Sequence, residues 1–226
     1  MNTLLTLLHI SDSSYPTGAF GHSWGLEAAI MKGLVTCFDE LYQWGLTSLE
    51  HSLIPLDGRA IRLGHRSAMN GDVEEVIRLE RELVLYRPSK SVRCAQGQVG
   101  RSFIEVTSET YGLPMVTELK EMVHPGKWED FIQYPLAWAV ASAELDITEE
   151  DALQAFLQGA VRQMAQVAVR LIPLGQREAN QFIACLSKEI LNMDLELKDQ
   201  DFMSLCPGLD IMSLAHETLQ ARYFRS

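Results

Sequence analysis

Apolar residues recur at three- and four-residue steps along most of the 226-residue chain, the spacing that places them on one face of an α-helix. One such run begins after Thr36. It carries Asp39 and Glu40 in its first turn, where acidic side chains complement the helix dipole. A proline inside a helix removes a hydrogen bond and clashes with the preceding turn, so we expect Pro55 to end this helix.

A second helical run follows a pair of residues typical of a helix start. Asp72 and Glu75 have the spacing of an N-terminal cap pair, and apolar residues then recur up to Val84. We expect the helix to stop just before Pro88. The same periodicity predicts that Glu80 and Arg87 face water.

Two further runs of helical periodicity lie next to each other in the second half of the chain. The first begins at Thr148, with Asp151 as its cap partner, and ends before Pro173. The second repeats the pattern over residues 179–190. A short connection between two amphipathic helices predicts an antiparallel hairpin.

The centre of the chain predicts one helix that is buried on all sides. Trp128 to Leu145 is apolar almost throughout, and its helix is expected to start near Gln133, which places Pro135 in the first turn. Ser91 to Tyr111 contains a brief alternation but otherwise resembles a helix. The pattern as a whole predicts a mostly helical domain.

The two ends of the chain differ from this helical body. Ser11 to Gly25 is rich in Gly, Ser, Pro and aromatic residues, and Leu195 to Gly208 is polar and ends in a Pro-Gly pair that is typical of a turn. Asp210 to Ser226 places arginines around a Tyr-Phe pair. This last stretch either docks on its own domain as a terminal helix or fills a pocket on a partner.

Composition then narrows the classes of function. With 19 basic against 30 acidic side chains, the chain has a formal net charge of −11 and no basic cluster, which argues against nucleic-acid binding. Residues 1–10 are a poor signal peptide, and no apolar run reaches the roughly 20 residues of a membrane span. The four cysteines and six histidines are scattered. We therefore expect a cytoplasmic protein with free thiols and with no metal or cofactor site of its own.

One short motif near the N-terminus is also found in a class of enzymes. Gly21–Gly25 matches the G-x-S-x-G turn that exposes the nucleophile of a serine hydrolase. That turn follows a β-strand of a large sheet, whereas only about twenty residues precede Ser23. His22 is adjacent and would point away, and nothing ties Asp210 or His216 to Ser23. The segment also lacks the G-K-[ST] of a phosphate-binding loop. A structural turn that leads into a helix is the favoured interpretation.

Three longer motifs give a more specific indication. Residues 8–27, LHISDSSYPTGAFGHSWGLE, closely resemble the N-terminal signature of the UreF family of urease accessory proteins. VRLIPLGQ at residues 169–176 and the terminal HET and RYFRS at 216–218 and 222–226 are similar to further motifs of that family. Tyr15, Thr17, Gln133, Ala139 and Leu219-Gln220 depart from the usual pattern. The motifs follow in the same order and span nearly the whole chain.

This resemblance implies an all-α fold, a single-domain bundle of about eight to ten helices. It also implies a non-catalytic chaperone that forms a homodimer. Such a protein binds the accessory protein UreD, called UreH in some organisms, and recruits the GTPase UreG. The complex docks on apo-urease and supports nickel insertion, so that nickel is carried by the complex and no cofactor belongs to this chain. A generic helical adaptor remains the alternative, together with the hydrolase.

We hypothesise that residues 1–25 and 209–226 together form the surface that meets UreD. Gly18, Phe20 and Trp24 would shape this surface, and Arg222 and Tyr223 would anchor it with Arg225. The complete set of candidate partner-binding residues is Asp12, Pro16, Gly18, Phe20, His22, Ser23, Trp24, Gly25, Glu27, His216, Glu217, Arg222, Tyr223, Phe224 and Arg225.

Overall fold

Helices account for nearly all regular structure in the computed structural model, which describes residues 2–122, 132–197 and 202–226. No strand occurs within these ranges, and the predicted all-α class is confirmed. None of the described helices combines the length and the apolar character needed to cross a bilayer. The helices are α1 Thr3–Ile10, α2 Leu26–Met31, α3 Phe38–Ser48, α4 Arg59–Met69, α5 Val73–Leu85, α6 Lys90–Tyr111, α7 Pro114–Met122, α8 Tyr134–Glu144, α9 Glu149–Leu171, α10 Gln176–Asn192 and α11 Pro207–His216.

The predicted helix starts are confirmed where local capping sets them. The Asp72 carboxylate accepts a 2.9 Å hydrogen bond from the backbone N–H of Glu75 at the start of α5. The Thr148 hydroxyl accepts from the backbone N–H of Asp151 at 3.1 Å and donates to the carboxylate of the same residue at 2.7 Å. Helices α9 and α10 pack against each other as the predicted hairpin.

Helix α8 lies at the centre of the hydrophobic core. Every residue from Pro135 to Ala143 is buried, and the helix packs against α4, α6 and α9. The indole N–H of Trp138 donates a 2.9 Å hydrogen bond to the Ala152 carbonyl, which satisfies the one polar atom of this side chain. The helix starts after Gln133, as predicted, and residues 128–131 of the predicted range lie outside the described residues.

The prediction that Pro55 ends its helix is wrong. Helices α3 and α4 are joined without a break by a π-helical stretch, Leu49–Gly58, that contains this proline. Pro55 has no N–H to donate within this stretch. The segment before α11 lies against the stretch, and the Leu205 N–H donates to the His51 carbonyl at 2.8 Å. The Pro55 carbonyl accepts from the N–H of Met203 at 3.3 Å. A distant segment thus donates hydrogen bonds to two carbonyls of the π-helical stretch.

The prediction that Glu80 and Arg87 face water is also wrong, since they are only 6% and 8% exposed. The Arg87 guanidinium forms a salt bridge with buried Asp57 and donates to the Gln133 side-chain carbonyl at 2.5 Å. The Glu80 carboxyl accepts from the Gln133 backbone N–H at 2.8 Å, and burial raises the pKa of Glu80 to about 8. These polar side chains compensate one another inside the protein, which helical periodicity alone does not reveal.

The predicted Pro-Gly turn at residues 207–208 is the first turn of α11 instead. Proline suits this place because the first helical residue has no hydrogen-bond partner for an N–H and has a φ close to the one that proline fixes. The segment before it contacts the π-helical stretch through Met203 and Leu205. The chain therefore enters α11 already attached to the helical body.

The backbone of residues 132–134 lies close to Gly100 of α6, and this close approach gives a first test of the fold. A Cβ atom on Gly100 would collide with the carbonyl oxygen of Ile132, so Gly100→Ala must displace the backbone that leads into α8. We expect a loss of about 1–3 kcal/mol in the free energy of unfolding. Gly159→Ala in α9 is the matched control, because nothing lies within 4 Å of its added Cβ. It should stabilise the protein by roughly 0.5–1 kcal/mol. Chemical denaturation checks both values, and equal effects would contradict this packing.

The buried Glu80 carboxyl predicts a specific dependence of stability on pH. Its folded-state pKa lies above the unfolded one, so unfolding releases its proton and stability falls as the pH rises from about 4.5 to about 8. Glu80→Gln keeps an acceptor for Gln133 but does not ionise. We expect the wild type to lose on the order of 1 kcal/mol or more relative to Glu80→Gln between pH 5 and pH 8. Denaturant midpoints measured across this range test the difference, and parallel profiles would refute it.

Candidate functional site

The two unusual ends of the chain lie against each other. We call residues 11–25 the N-terminal segment and residues 218–226 the tail end. The backbone oxygen of Ser226 accepts from the Ser23 hydroxyl at 2.7 Å, from the Trp24 N–H at 3.1 Å and from the N–H of Ser23. The Arg225 N–H donates to the Gly21 carbonyl at 2.8 Å. Residues about 200 positions apart in sequence therefore form one continuous structure.

A single carboxylate, that of Glu27, accepts most of the remaining hydrogen bonds between the two ends of the chain. Glu27 lies in the first turn of α2 and is fully buried. It accepts hydrogen bonds from His216 Nε2 at 2.7 Å, from the Tyr223 N–H at 2.6 Å and from the Phe224 N–H at 3.2 Å. A buried carboxylate is costly unless donors surround it, and these three donors offset that cost.

His22 is the second ionisable group between the two ends. Its ring is buried, stacks on the Trp24 indole with centroids 5.2 Å apart, and its Nδ1 lies 2.7 Å from the Ser226 hydroxyl. Burial, together with the nearby charge of Arg225, lowers the pKa of His22 to about 4. The imidazole is therefore neutral at pH 7.

Unusual backbone conformations shape the N-terminal segment. Gly25 has φ +87°, and a Cβ there would lie 2.8 Å from the Ser213 hydroxyl of α11, so both the turn and the packing require glycine. Trp24 also has a positive φ, of 52°. Gln163 of α9 fastens the segment to the helical body, since its amide donates to the His22 carbonyl at 2.8 Å.

The tail end alternates between buried and exposed side chains. Phe224 is buried beneath the Arg170 guanidinium, which lies 5.5 Å from the ring centroid. Arg222, Tyr223 and Arg225 are exposed, and Tyr223 is 73% accessible. The Arg222 guanidinium donates to backbone carbonyls of the preceding turn, and neither tail arginine takes part in a salt bridge among the described residues. An aromatic ring between two cations thus faces outward.

Glu217 attaches the end of α11 to a different part of the body. Its carboxylate accepts from the Ser89 hydroxyl at 2.7 Å and from the Ser91 N–H at 2.9 Å, at the first turn of α6. These hydrogen bonds hold the pKa of Glu217 below its usual value. The residue therefore fixes the helix from which the tail end departs.

Most of the predicted site residues belong to this contact, but some lie apart from it. Asp12 is exposed and accepts from the Ser14 N–H at 2.7 Å, and Pro16 and Gly18 are also exposed. Half-buried Phe20 lines a cavity of about 160 Å³ between the N-terminal segment and helices α6 and α9. The structure thus unites residues 22–27 with His216 and residues 222–225, whereas Glu217 faces α6.

Sequence reasoning missed four residues that complete the contact: Gln163, Arg170, Ser213 and Ser226. Gln163 was detectable in principle, because it is a buried polar residue on the apolar stripe of α9. The others carry no local signal, since their roles depend on which distant segment packs against them.

The arrangement around Ser23 is not that of a hydrolase in the described part of the chain. Ser23 is buried, no strand precedes it, and its hydroxyl donates to the Ser226 backbone rather than to an imidazole. His216 pairs with Glu27 and not with Asp210.

Within residues 2–122, 132–197 and 202–226, no three His, Cys, Asp or Glu side chains are grouped to hold a metal ion.

Comparison with known proteins adds an independent observation. The family model described as UreF matches residues 35–187. The chain is 34% identical over 224 residues to "Urease accessory protein UreF" of Corynebacterium glutamicum (strain R), an alignment that covers 97% of this chain and 96% of that protein. It is 28% identical over 228 residues to the protein of the same name from Lachnoclostridium phytofermentans, with 100% and 99% covered. The second of these alignments covers the whole chain, including both ends, which lie outside the family-model match.

The neutral imidazole of His22 predicts that acid weakens this contact. Its folded-state pKa is below its unfolded value of about 6.5, so the unfolded state takes up the proton first and stability falls as the pH drops from 6.5 towards 4. His22→Asn keeps a polar atom near the Nδ1 position but does not titrate. His216 and Arg225, whose charges act on the ring, are common to both proteins. We expect the wild type to lose on the order of 1–2 kcal/mol relative to the variant between pH 7 and pH 4.5. Denaturation across this range would show no such divergence if His22 were solvated.

Proposed function

Because the chain belongs to the UreF family of urease accessory proteins, we propose that it is a non-catalytic chaperone of urease maturation. In this proposal it binds UreD (UreH), recruits the GTPase UreG and docks with them on apo-urease in the cytoplasm. Nickel is the cargo of that complex, and the chain contributes no cofactor of its own. We further propose that it acts as a homodimer formed through the helical body.

The observation that supports the proposal is the union of the two chain ends. The hypothesis from sequence required the N-terminal segment and the tail to present one surface, and the Ser226 oxygen receives donors from both Ser23 and Trp24. Arg222, Tyr223 and Arg225 project outward beside this contact. Tyrosine and arginine are the residue types that most often dominate the energy of protein–protein interfaces.

The tail end is held in place before any partner arrives. Phe224 is buried and the backbone of residues 223–226 is hydrogen-bonded, so little conformational freedom remains to be lost on binding. A surface ordered in advance binds more tightly than a flexible peptide with the same side chains. This supports a docking role for the ordered tail end.

Charge adds information about the partner surface. The tail end and Arg170 present guanidinium groups on a chain of net charge −11. Complementary potentials favour encounter and register between proteins. We therefore expect the UreD surface that covers Tyr223 to carry carboxylates, whereas surfaces that contact the acidic helical body are expected to be basic.

Tyr223→Ala tests the proposal with little risk to the fold, because the side chain is 73% exposed. Loss of a central aromatic anchor typically costs about 2 kcal/mol or more, so UreD capture by the full-length protein should weaken roughly 30-fold. Leu85→Ala, at a side chain that is 81% exposed on α5, is the matched control and should bind as the wild type does. Binding is measured by titration with purified UreD.

The same variants can be assayed in a strain that lacks its own UreF. The wild type and Leu85→Ala should restore urease activity, and Tyr223→Ala should restore little. A generic helical adaptor would restore none, and undiminished capture of UreD by Tyr223→Ala would contradict the proposed surface.

A further inference from the structure

We propose that Glu27 is the positioning residue of the tail end, which it orders so that the exposed side chains face a partner together. The ordering follows from the geometry, whereas its purpose rests on the function proposed above. Glu27 itself is fully buried, so it acts through the tail and not by direct contact with a partner.

The carboxylate holds two successive backbone amides. Oε1 accepts from the Tyr223 N–H at 2.6 Å and Oε2 accepts from the Phe224 N–H at 3.2 Å. Successive N–H groups in an extended chain point in opposite directions, so both reach one carboxylate only if the backbone turns there. That turn directs the Phe224 ring into the protein and leaves the Tyr223 ring outside.

The third donor fixes the carboxylate relative to the helical body. His216 Nε2 donates to Oε2 at 2.7 Å from the last turn of α11. The Nδ1 atom of this fully buried ring has no hydrogen-bond partner among the described residues. Glu27 therefore provides the polar contact of His216 as well, and one side chain joins α2, α11 and the tail end.

No other carboxylate substitutes for Glu27 within the described contacts of residues 218–226. The remaining hydrogen bonds of the tail end go to backbone oxygens or to the small polar groups of His22, Ser23 and Trp24. Hydrogen bonds to an ionised acceptor are roughly twice as strong as those between neutral groups. The tail end is thus held at two points, by Glu27 at residues 223–224 and by Ser23 and Trp24 at residue 226.

Glu27→Gln isolates this contribution because the side chain keeps its size. The amide offers one oxygen in place of two, and its NH2 group must face at least one of the three donors. The expected result is local release of the tail end without a cavity in the core. Glu27→Asp keeps the negative charge but draws the oxygens back by one methylene, and it should show the same change at smaller amplitude.

Glu144→Gln is the matched control. The Glu144 carboxylate also accepts from two successive amides, those of Met115 and Val116, each at 2.9 Å. These amides belong to the first turn of α7 and not to the tail end. The control therefore breaks the same kind of contact at a different place in the fold.

Hydrogen exchange measured by mass spectrometry on the full-length proteins tests the proposal. In Glu27→Gln the amides of Tyr223 and Phe224 should exchange at least tenfold faster, while those of the buried helix α8 keep their protection. In Glu144→Gln the tail amides should exchange at the wild-type rate. Capture of purified UreD should weaken at least tenfold in Glu27→Gln and remain unchanged in Glu144→Gln.

Two results would overturn the inference. Tail amides that stay protected in both Glu27→Gln and Glu27→Asp would show that other contacts order the tail end. Fast exchange combined with undiminished UreD capture would show that its order has no role in binding. Failure of the proposed function is seen separately, because the wild-type protein would then not capture UreD at all.

Discussion

A carboxylate taken out of water has to be surrounded by donors, and this requirement joins the two ends of the chain. Glu27 has no access to solvent, and its donors come from α11 and from the tail end, some 190 residues away in sequence. The burial of Phe224 and the outward direction of Tyr223 both depend on that contact. Apolar packing alone would leave the backbone of residues 222–226 without a fixed register.

The distance in sequence between a hydrogen-bond donor and its acceptor explains which features of the fold could be predicted from sequence. Helix starts such as Asp72 and Thr148 depend on donors three residues away, so they are visible in the local pattern. The π-helical stretch through Pro55 carries no such local sign, and its carbonyls of His51 and Pro55 accept from Leu205 and Met203, about 150 residues further along the chain. Sequence spacing carries no record of such a partner.

For the candidate site, sequence motifs identified both ends of the chain but not their internal order. The hypothesis that the two ends form one surface agrees with the hydrogen bonds between Ser23 and Ser226. The sequence does not show that Phe224 is buried and Tyr223 exposed, because two adjacent aromatic residues are equally suited to burial. The contact with Glu27 distinguishes them. That these residues bind UreD stays a prediction.

The tail end also differs from the helical body in how its stability arises. Helix α8 is buried on all sides, so the burial of apolar surface keeps it ordered. That contribution changes little when a polar contact elsewhere in the protein is altered. The tail end buries one aromatic ring and otherwise relies on a few hydrogen bonds, so little apolar area holds it, which is a feature of a segment that opens locally before the whole protein unfolds. The fraction of molecules in which the tail end is ordered is therefore set by a few polar contacts. A partner that recognises the ordered form binds in proportion to that population, so the buried Glu27 carboxylate influences affinity without touching the partner.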